Sequence, residues 1–177
     1  MAPIIGLHPE FVNKLMLAIA FAAEENPPLR VGIFMGLRNW QQQDALYALG
    51  RTVKNVDGAC PDKPMGNIVT HARGGESWHN YGLAADVVFQ VNYPSDASAP
   101  EGVFHWDWAD SHPWQRLGEL GEEQGLEWGG RWLPPKNDKP HFEMRAGLAL
   151  KDAQGLYSQG GLPAVWAEID KRLKGGA

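Results

Sequence analysis

The segment from Ser77 to Asp86 has the sequence SWHNYGLAAD, and the segment from Asp138 to His141 has the sequence DKPH. Together they offer the imidazoles of His79 and His141 and the carboxylate of Asp86. Two histidines and one acidic residue form the ligand set of a catalytic zinc ion, which leaves a fourth position open for water. Asp138 adds a carboxylate beside the second imidazole, and a metal-assisted hydrolase needs such a group to carry protons. The two segments therefore predict a zinc hydrolase.

Asp86 lies in a run from Leu83 to Val91 that is rich in Ala, Val and Phe and is predicted to form a buried strand. An unpaired carboxylate in such a strand is costly, and a cation would remove that cost. His79 lies seven residues earlier, which on one flat strand would place it on the opposite face. A loop that ends at Gly82 would allow it to fold back. On spacing alone, a loop histidine and an acid bound to backbone amides remain an equal alternative.

The second segment ends in a predicted strand that begins at Pro140. Because proline restricts the backbone, Asp138 is expected to lie near His141 without sharing its strand face. It would then reach the water of the metal rather than the metal itself. Glu143 shares a face with His141 and is expected to orient its ring. A turn aspartate at 138 and a surface acid at 143 are the simpler alternatives.

Hydrophobic periodicity and chain breakers predict an α+β fold, in which a small antiparallel sheet is flanked by helices. The length of 177 residues suits one domain, 1–177, with a motif core at about 8–145. Asn39 and Ser111 are expected to cap the second and third helices, and Leu46 and Leu49 to face the core. The predicted elements are helices at 8–25, 40–48, 113–124 and about 162–173, and strands at 30–35, 83–91 and 140–145.

Two long segments, 51–76 and 92–111, lack a regular pattern, and long loops in compact domains are often functional. The second carries Trp106 and Trp108, which are expected to wall a cleft together with Trp132, with core packing as the alternative for at least one of the three. Eight tryptophans in this chain favour such a lined cleft.

The composition excludes several classes of function. The formal net charge of −5 and the absence of basic runs argue against nucleic-acid binding. The apolar run Lys14–Ala23 is too short to cross a bilayer, so membrane insertion is not expected. Its helical spacing favours an amphipathic helix, with a secretion signal as the alternative. The single cysteine, Cys60, cannot form an internal disulfide.

Three ordered motifs resemble the family of zinc D-Ala-D-Ala carboxypeptidases and L-alanyl-D-glutamate peptidases, which includes phage endolysins and shares its metal site with hedgehog-type domains. The first is Ser-x-His-x-x-Gly-x-Ala-x-Asp, from Ser77 to Asp86. The second is Trp-Gly-Gly-x-Trp, from Trp128 to Trp132, followed by Asp-x-Pro-His-Phe-Glu. An upstream segment, 36–43, is similar to the Gly-Tyr-Arg-Ser-x-x-x-Gln pattern of the family.

The resemblance implies an α+β zinc peptidase with one Zn²⁺ per chain. Leu37 and Asn39 depart from the family pattern, in which an aromatic residue and Ser or Thr are more usual, and this affects substrate fit rather than the metal. The implied roles are metal binding for His79, Asp86 and His141, catalysis for Asp138 and Arg38, and substrate contact for Gln43 and Ser77. Trp132 is also expected to contact substrate. A surface ion pair is the alternative for Arg38.

The implied substrate is the stem peptide of bacterial peptidoglycan, cut at the L-alanyl-D-glutamate bond in endolysin-like lysis of the cell wall. A D-Ala-D-Ala carboxypeptidase or dipeptidase is the enzyme alternative. A zinc-containing wall-binding module without catalysis is the alternative of another class. We expect a monomer that stays in the host cytoplasm until it is released to the periplasm or wall, since no convincing signal peptide is present.

Overall fold

The computed structural model of the protein describes residues 4–27, 29–91 and 105–175. Within these ranges the chain forms helices and a five-stranded antiparallel sheet, so the predicted α+β class is confirmed. The helices are α1 (Pro9–Glu25), α2 (Trp40–Ala48), α3 (Trp114–Glu123) and α4 (Leu150–Gly175), and the strands are β1 (Arg30–Met35), β2 (Ala84–Val91), β3 (His105–Asp107), β4 (Glu127–Trp128) and β5 (His141–Glu143).

The described residues divide into two compact units. Those within Met1–Gly36 and Leu83–Met144 form the first, here called the sheet unit, which holds all five strands together with α1 and α3. Those within Leu37–Gly82 and Arg145–Ala177 form the second, here called the helical unit, which holds α2 and α4. The single-domain organisation inferred from length stays a prediction.

Strand β2 organises the sheet unit, because it pairs with β1, β3 and β5. Its first residues pair with β5, and its last residues pair with β3. On β1, the register shifts between Ile33 and Met35, which marks a bulge opposite the first half of β2. The core face of β2 carries fully buried apolar side chains, among them those of Val87 and Phe89.

Helices α1 and α3 pack in the sheet unit through side chains at helical spacing, as the periodicity predicted. Two glycines of α3 have a steric role. A Cβ atom at Gly118 would lie 2.2 Å from the ring of Trp128, and one at Gly121 would lie 2.5 Å from that of Phe142. Helix α3 can therefore approach β4 and β5 only because these positions lack side chains. The inward residues are Phe11, Leu15, Ile19 and Ala22 of α1 and Trp114, Leu117 and Leu120 of α3.

The helical unit is organised by aromatic contacts of α4. Tyr157 stacks on Trp40 and meets Tyr81 edge-on, with ring centroids 5.4 and 5.7 Å apart. The indole of Trp166 donates a 2.7 Å hydrogen bond to the carbonyl of Tyr81. Helix α4 bends at Gly160 and Gly161, whose backbone angles are not helical. None of the described helices combines the length and apolarity that crossing a membrane requires.

The structure corrects several predictions. Pro113, not Ser111, lies at the N-cap position of α3, and no side chain caps that end. Leu46 and Leu49 are only half-buried, and the buried side chain of α2 is that of Gln43.

The sequence patterns did not predict two further elements, β3 and the first half of α4. Strand β3 lies inside a segment that was predicted to be loop, because three residues are too short for a period to show. The first half of α4, before the bend, has no apolar stripe and was not predicted. Residues 92–104 of the same predicted loop lie outside the described part of the chain.

Candidate metal centre

Asp86 and His141 lie directly opposite each other on the paired strands β2 and β5. Residues opposite each other in an antiparallel pair point to the same face of the sheet, so the two side chains meet. Asp86 Oδ1 and His141 Nδ1 are 3.1 Å apart. Two ligands about 2.1 Å from one tetrahedral zinc ion lie roughly 3.4 Å apart, so this spacing fits a shared metal.

His79 lies on a short 3-10 helix, Trp78–Tyr81, which ends at Gly82. Gly82 has a φ of 66°, a left-handed conformation that glycine adopts without strain, and the chain then enters β2. The predicted loop before the strand is therefore present as a helical turn. His79 itself is buried, with 2% of its surface exposed.

His79, Asp86 and His141 each offer one ligand atom, and these atoms all lie within 4.8 Å of one another. Two imidazoles and a carboxylate are suitable donors for zinc, and three protein ligands leave one position for water. Within the described part of the chain, these three side chains form a group that is close enough to hold a metal ion. The structure thus brings together the three residues that the sequence predicted as ligands.

The charges around His141 also suit a cation. Burial lowers the pKa of His141, but hydrogen bonds with Asp86 and Glu143 and their negative charges outweigh it and raise that pKa to about 9. Two carboxylates that face one buried imidazole favour a positive charge at this position. The residues present therefore fit a divalent ion.

Glu143 lies on the same face of β5 as His141, and its Oε2 is 2.9 Å from His141 Nε2. Because an ionised carboxylate can only accept, Glu143 accepts the Nε2–H and fixes the tautomer. Nδ1, which faces Asp86, is then left to bind a metal. Glu143 is buried, so this contact is shielded from water and the alternative of a surface acid is excluded.

Asp138 is exposed and lies in the turn before β5. The His141 amide donates to the Asp138 carbonyl at 3.2 Å, and the Asp138 amide donates to the Gly129 carbonyl at 2.9 Å. A Cβ atom at Gly129 would lie 2.6 Å from the Asp138 carbonyl oxygen and 3.0 Å from the Cβ of His141. Glycine at 129 therefore lets this turn pack closely, which holds Asp138 next to His141 as predicted.

The tryptophans of the Trp-Gly-Gly-x-Trp motif support the same turn. The indole of Trp128 donates a 2.7 Å hydrogen bond to the Lys139 carbonyl, one residue after Asp138. The Trp132 ring packs on the His141 ring with centroids 5.0 Å apart. Trp132 thus borders a predicted metal ligand, and its contact with substrate stays a prediction.

Arg38 and Gln43 are tied together within the helical unit. Arg38 Nη1 donates to Gln43 Oε1 at 3.3 Å, and the Arg38 amide donates to the His79 carbonyl at 3.1 Å. Gln43 is fully buried, and its amide nitrogen donates to Thr70 Oγ1 and the Ala72 carbonyl. These contacts place Gln43 as a support for Arg38, while the predicted roles of both in substrate binding stay predictions.

Asn80 is a positioning residue that the sequence did not single out. Its side-chain oxygen accepts from the amides of Gly75 and Ser77, at 2.9 and 3.4 Å, and its nitrogen donates to the Arg38 carbonyl at 3.0 Å. Asn80 therefore ties the helix that carries His79 to the backbone of Arg38. Its place between His79 and Gly82 was the available signal. Ser77 lies at the N-cap of this helix, and its predicted contact with substrate stays untested.

The ligand group is of the kind that holds a catalytic zinc ion. Residues 70–144 match the model of a family described as D-alanyl-D-alanine carboxypeptidase. The matched range includes His79, Asp86, Asp138 and His141. The resemblance that the motifs carried is therefore confirmed.

One relative matches a longer part of the chain than the family model does. The chain is 40% identical over 129 residues to the peptidoglycan L-alanyl-D-glutamate endopeptidase CwlK of Bacillus subtilis (strain 168). The matched region covers 70% of this chain and 65% of that relative. The chain thus spans a little under two thirds of the length of the relative that it matches.

Proposed function

We propose that this protein is a zinc-dependent peptidoglycan peptidase that hydrolyses the L-alanyl-D-glutamate bond of the stem peptide. The observation that carries this proposal is the group of His79, Asp86 and His141, with the exposed carboxylate of Asp138 on the turn beside it. The specificity is supported by the 40% identity to an endopeptidase whose name specifies this bond.

His79, Asp86 and His141 would hold the ion, and Glu143 would keep the His141 ring in the binding tautomer. Bound Zn²⁺ would supply a Lewis acid that activates water and polarises the scissile carbonyl. Asp138 takes one proton from the attacking water and delivers it to the departing amine as the C–N bond breaks. Arg38 then stabilises negative charge on the substrate or on the developing oxyanion.

Asp138 suits the role of proton carrier because its side chain is exposed while its backbone is held. It lines an open cleft of about 340 Å³ that is also formed by Trp108, Trp114 and Pro140. Water and a peptide can therefore reach the carboxylate. The backbone hydrogen bonds of the turn hold Asp138 in a set position next to His141.

D-Ala-D-Ala carboxypeptidase activity is the second candidate, and the description of the matched family favours it. The two activities leave different products. Endopeptidase cleavage creates a new amino terminus on D-glutamate, whereas carboxypeptidase cleavage releases free D-alanine. The ligand group and the proton carrier serve either bond, so the choice depends on how the substrate is seated.

The deciding experiment is mass spectrometry of purified peptidoglycan after digestion with zinc-loaded protein, with a chelated sample and a zinc-restored sample beside it. We expect stems that lack L-alanine and start at D-glutamate, formed only in the presence of the metal. Released D-alanine would favour the second candidate. An intact substrate on every wall chemotype would favour a wall-binding module without catalysis.

We also propose an endolysin-like life cycle, in which a monomer is held in the host cytoplasm and then reaches the wall. The support comes from α1, where the apolar run 14–23 forms part of a folded helix that buries Leu15 and Ile19. Cell fractionation before and after membrane permeabilisation would test the location. Light scattering coupled to size exclusion would test the monomer.

A further inference from the structure

Three exposed aromatic side chains cluster on the sheet unit, at Phe34 of β1, Trp106 of β3 and Trp108, which follows β3. We call them the aromatic platform. The Phe34 ring meets the Trp106 and Trp108 rings edge-on, with centroids 5.9 and 5.2 Å apart. Their exposed fractions are 45%, 49% and 45%, so nearly half of each side chain faces solvent. Exposed aromatic groups of this kind mark binding surfaces more often than isolated apolar residues do.

The platform lies on the face of the sheet that carries the predicted metal ligands. Asp86 and Gln90 are both on β2 and four residues apart, so their side chains share one face. Trp106 is the register partner of Gln90 on β3, just as His141 is the partner of Asp86 on β5. At a rise of ~3.3 Å per residue, about 13 Å separates these two positions along β2.

The platform is also continuous with the cleft beside Asp138. Trp108 contacts Phe34 and lines that cleft, which is about 340 Å³ in volume. Gly32 lets the aromatic platform lie close to the backbone of the sheet, because it has no side chain. A Cβ atom at Gly32 would lie 3.3 Å from the ring of Trp106 and 2.9 Å from the side-chain nitrogen of Gln90. The Gln90 amide therefore borders the Trp106 ring at the edge of the platform.

An aromatic face bordered by an amide suits a pyranose ring. The C–H face of the sugar packs on indole and phenyl rings, and its hydroxyl or acetamido groups bind the amide. In peptidoglycan, the first residue of the stem is joined through a lactyl group to a muramic acid ring. With ~3.6 Å per extended residue, that ring lies roughly 10 Å from the L-alanyl-D-glutamate bond. This distance is comparable to the ~13 Å along β2 that separates Asp86 from Gln90, the register partner of Trp106.

We propose that the aromatic platform binds a sugar ring of the glycan strand, adjacent to the stem peptide that is cut at the metal centre. The inference rests on the proposed function, since it makes the glycan part of the substrate. A sugar-bearing stem should therefore be a better substrate than the same stem without sugar. No separate wall-binding domain is needed for this preference.

The test compares kcat/KM for a synthetic stem peptide with that for the same stem linked to its disaccharide. We expect the wild-type protein to favour the disaccharide form about tenfold, a typical effect of seating one ring on aromatic faces. In the double variant Trp106→Ala/Trp108→Ala the ratio should fall towards one. Trp108→Phe, which keeps a ring, should retain most of the preference. Phe21→Ala removes an exposed aromatic side chain of α1 and should leave the ratio unchanged.

A second measurement separates this proposal from the proposed function. Calorimetric titration with peptide-free glycan oligosaccharides should show binding by the wild-type protein and by Phe21→Ala, and a loss of binding in the double variant. Binding without cleavage of either substrate would support the platform and refute the peptidase. Cleavage of both substrates at equal kcat/KM by the wild-type protein, without glycan binding, would refute the platform alone. Self-association that the double variant abolishes, without any sugar preference, would assign the patch to a second copy of the chain and overturn the proposal.

Discussion

The predicted metal ligands are held in two different ways. Asp86 and His141 lie on paired strands, where the hydrogen bonds of the β2–β5 ladder set their register. His79 lies on a four-residue 3-10 helix, whose position depends on side-chain hydrogen bonds of Asn80 and Tyr81. A ladder fixes two ligands with backbone groups that every residue has, whereas the helix needs particular neighbours. The strand pair should therefore tolerate changes nearby, and the region around His79 should not.

The largest effect is expected from removal of a ligand on either side of this comparison. His79→Ala and His141→Ala should each lose bound zinc and hydrolysis together, because two remaining ligands hold the ion weakly. Atomic emission for zinc and a peptidoglycan turbidity assay measure the two properties. His71→Ala, at an exposed histidine outside the group, is the matched control. Full zinc retention in His79→Ala would leave only the strand pair as the metal site.

Asp138→Ala should separate metal binding from catalysis. We expect zinc content to be unchanged and hydrolysis to fall by about 10²- to 10⁴-fold, which is the usual contribution of a general acid–base. The same two assays apply, and Asp62→Ala removes an exposed carboxylate elsewhere as the control. A fully active Asp138→Ala variant would show that another group carries the proton.

Glu143 tests how much the strand pair depends on support from side chains. Glu143→Ala should weaken zinc binding by about 10- to 100-fold, as loss of a partner behind a ligating histidine usually does. Glu143→Gln keeps an acceptor for His141 Nε2–H and should weaken it less. Chelator competition measures the affinity. Equal zinc affinity in the wild-type protein and both variants would mean that the ladder alone positions His141.

Asn80→Ala tests the helix side of the comparison. It leaves the buried Gly75 amide without its acceptor and the Arg38 carbonyl without its donor, which should cost about 2–4 kcal/mol of unfolding free energy. Gln154→Ala is a matched control, because the Gly75 carbonyl that it releases still accepts from Tyr81. Urea denaturation measures both variants. Similar losses of unfolding free energy in Asn80→Ala and Gln154→Ala would contradict the positioning role of Asn80.

The smallest effect is expected for Arg116→Ala, which lies outside both the strand pair and the helix that carries His79. Arg116 of α3 binds the carboxylate of Glu25 at the end of α1, with contacts of 2.6 and 2.8 Å. This hydrogen bond and the Arg116 charge lower the pKa of Glu25 below 4.5, so the stabilisation is present above that pH and disappears as pH falls through the lowered pKa. Arg116→Ala should reduce Tm by about 2 °C or less at neutral pH. In acid the two Tm values should converge, and at each pH the variant should hold as much zinc as the wild-type protein. A Tm difference that grew in acid would contradict this sign.

Much of the fold was predictable because the signals were local. The bounds of α1 and β1 follow from apolar periodicity between breakers, and Asn39 caps α2 through reciprocal hydrogen bonds with Gln42. Strand β3 and the first half of α4 were missed, since the former exists only through pairing with β2 and the latter lacks an apolar stripe. Such elements are stabilised by contacts distant in sequence, which a local window does not contain.

The sequence by itself determined the chemistry of the site: two imidazoles and a carboxylate of suitable type and order, a proline next to the second histidine, and glycines at the turns. Only the tertiary structure decided their geometry, through the register that sets Asp86 opposite His141 and the buried contact of Glu143. It also assigned Gln43 and Asn80 to internal support, and it gathered Phe34, Trp106 and Trp108 on one face. Residue type fixes what a side chain can do, but proximity between distant residues depends on strand pairing and burial, which belong to the whole fold.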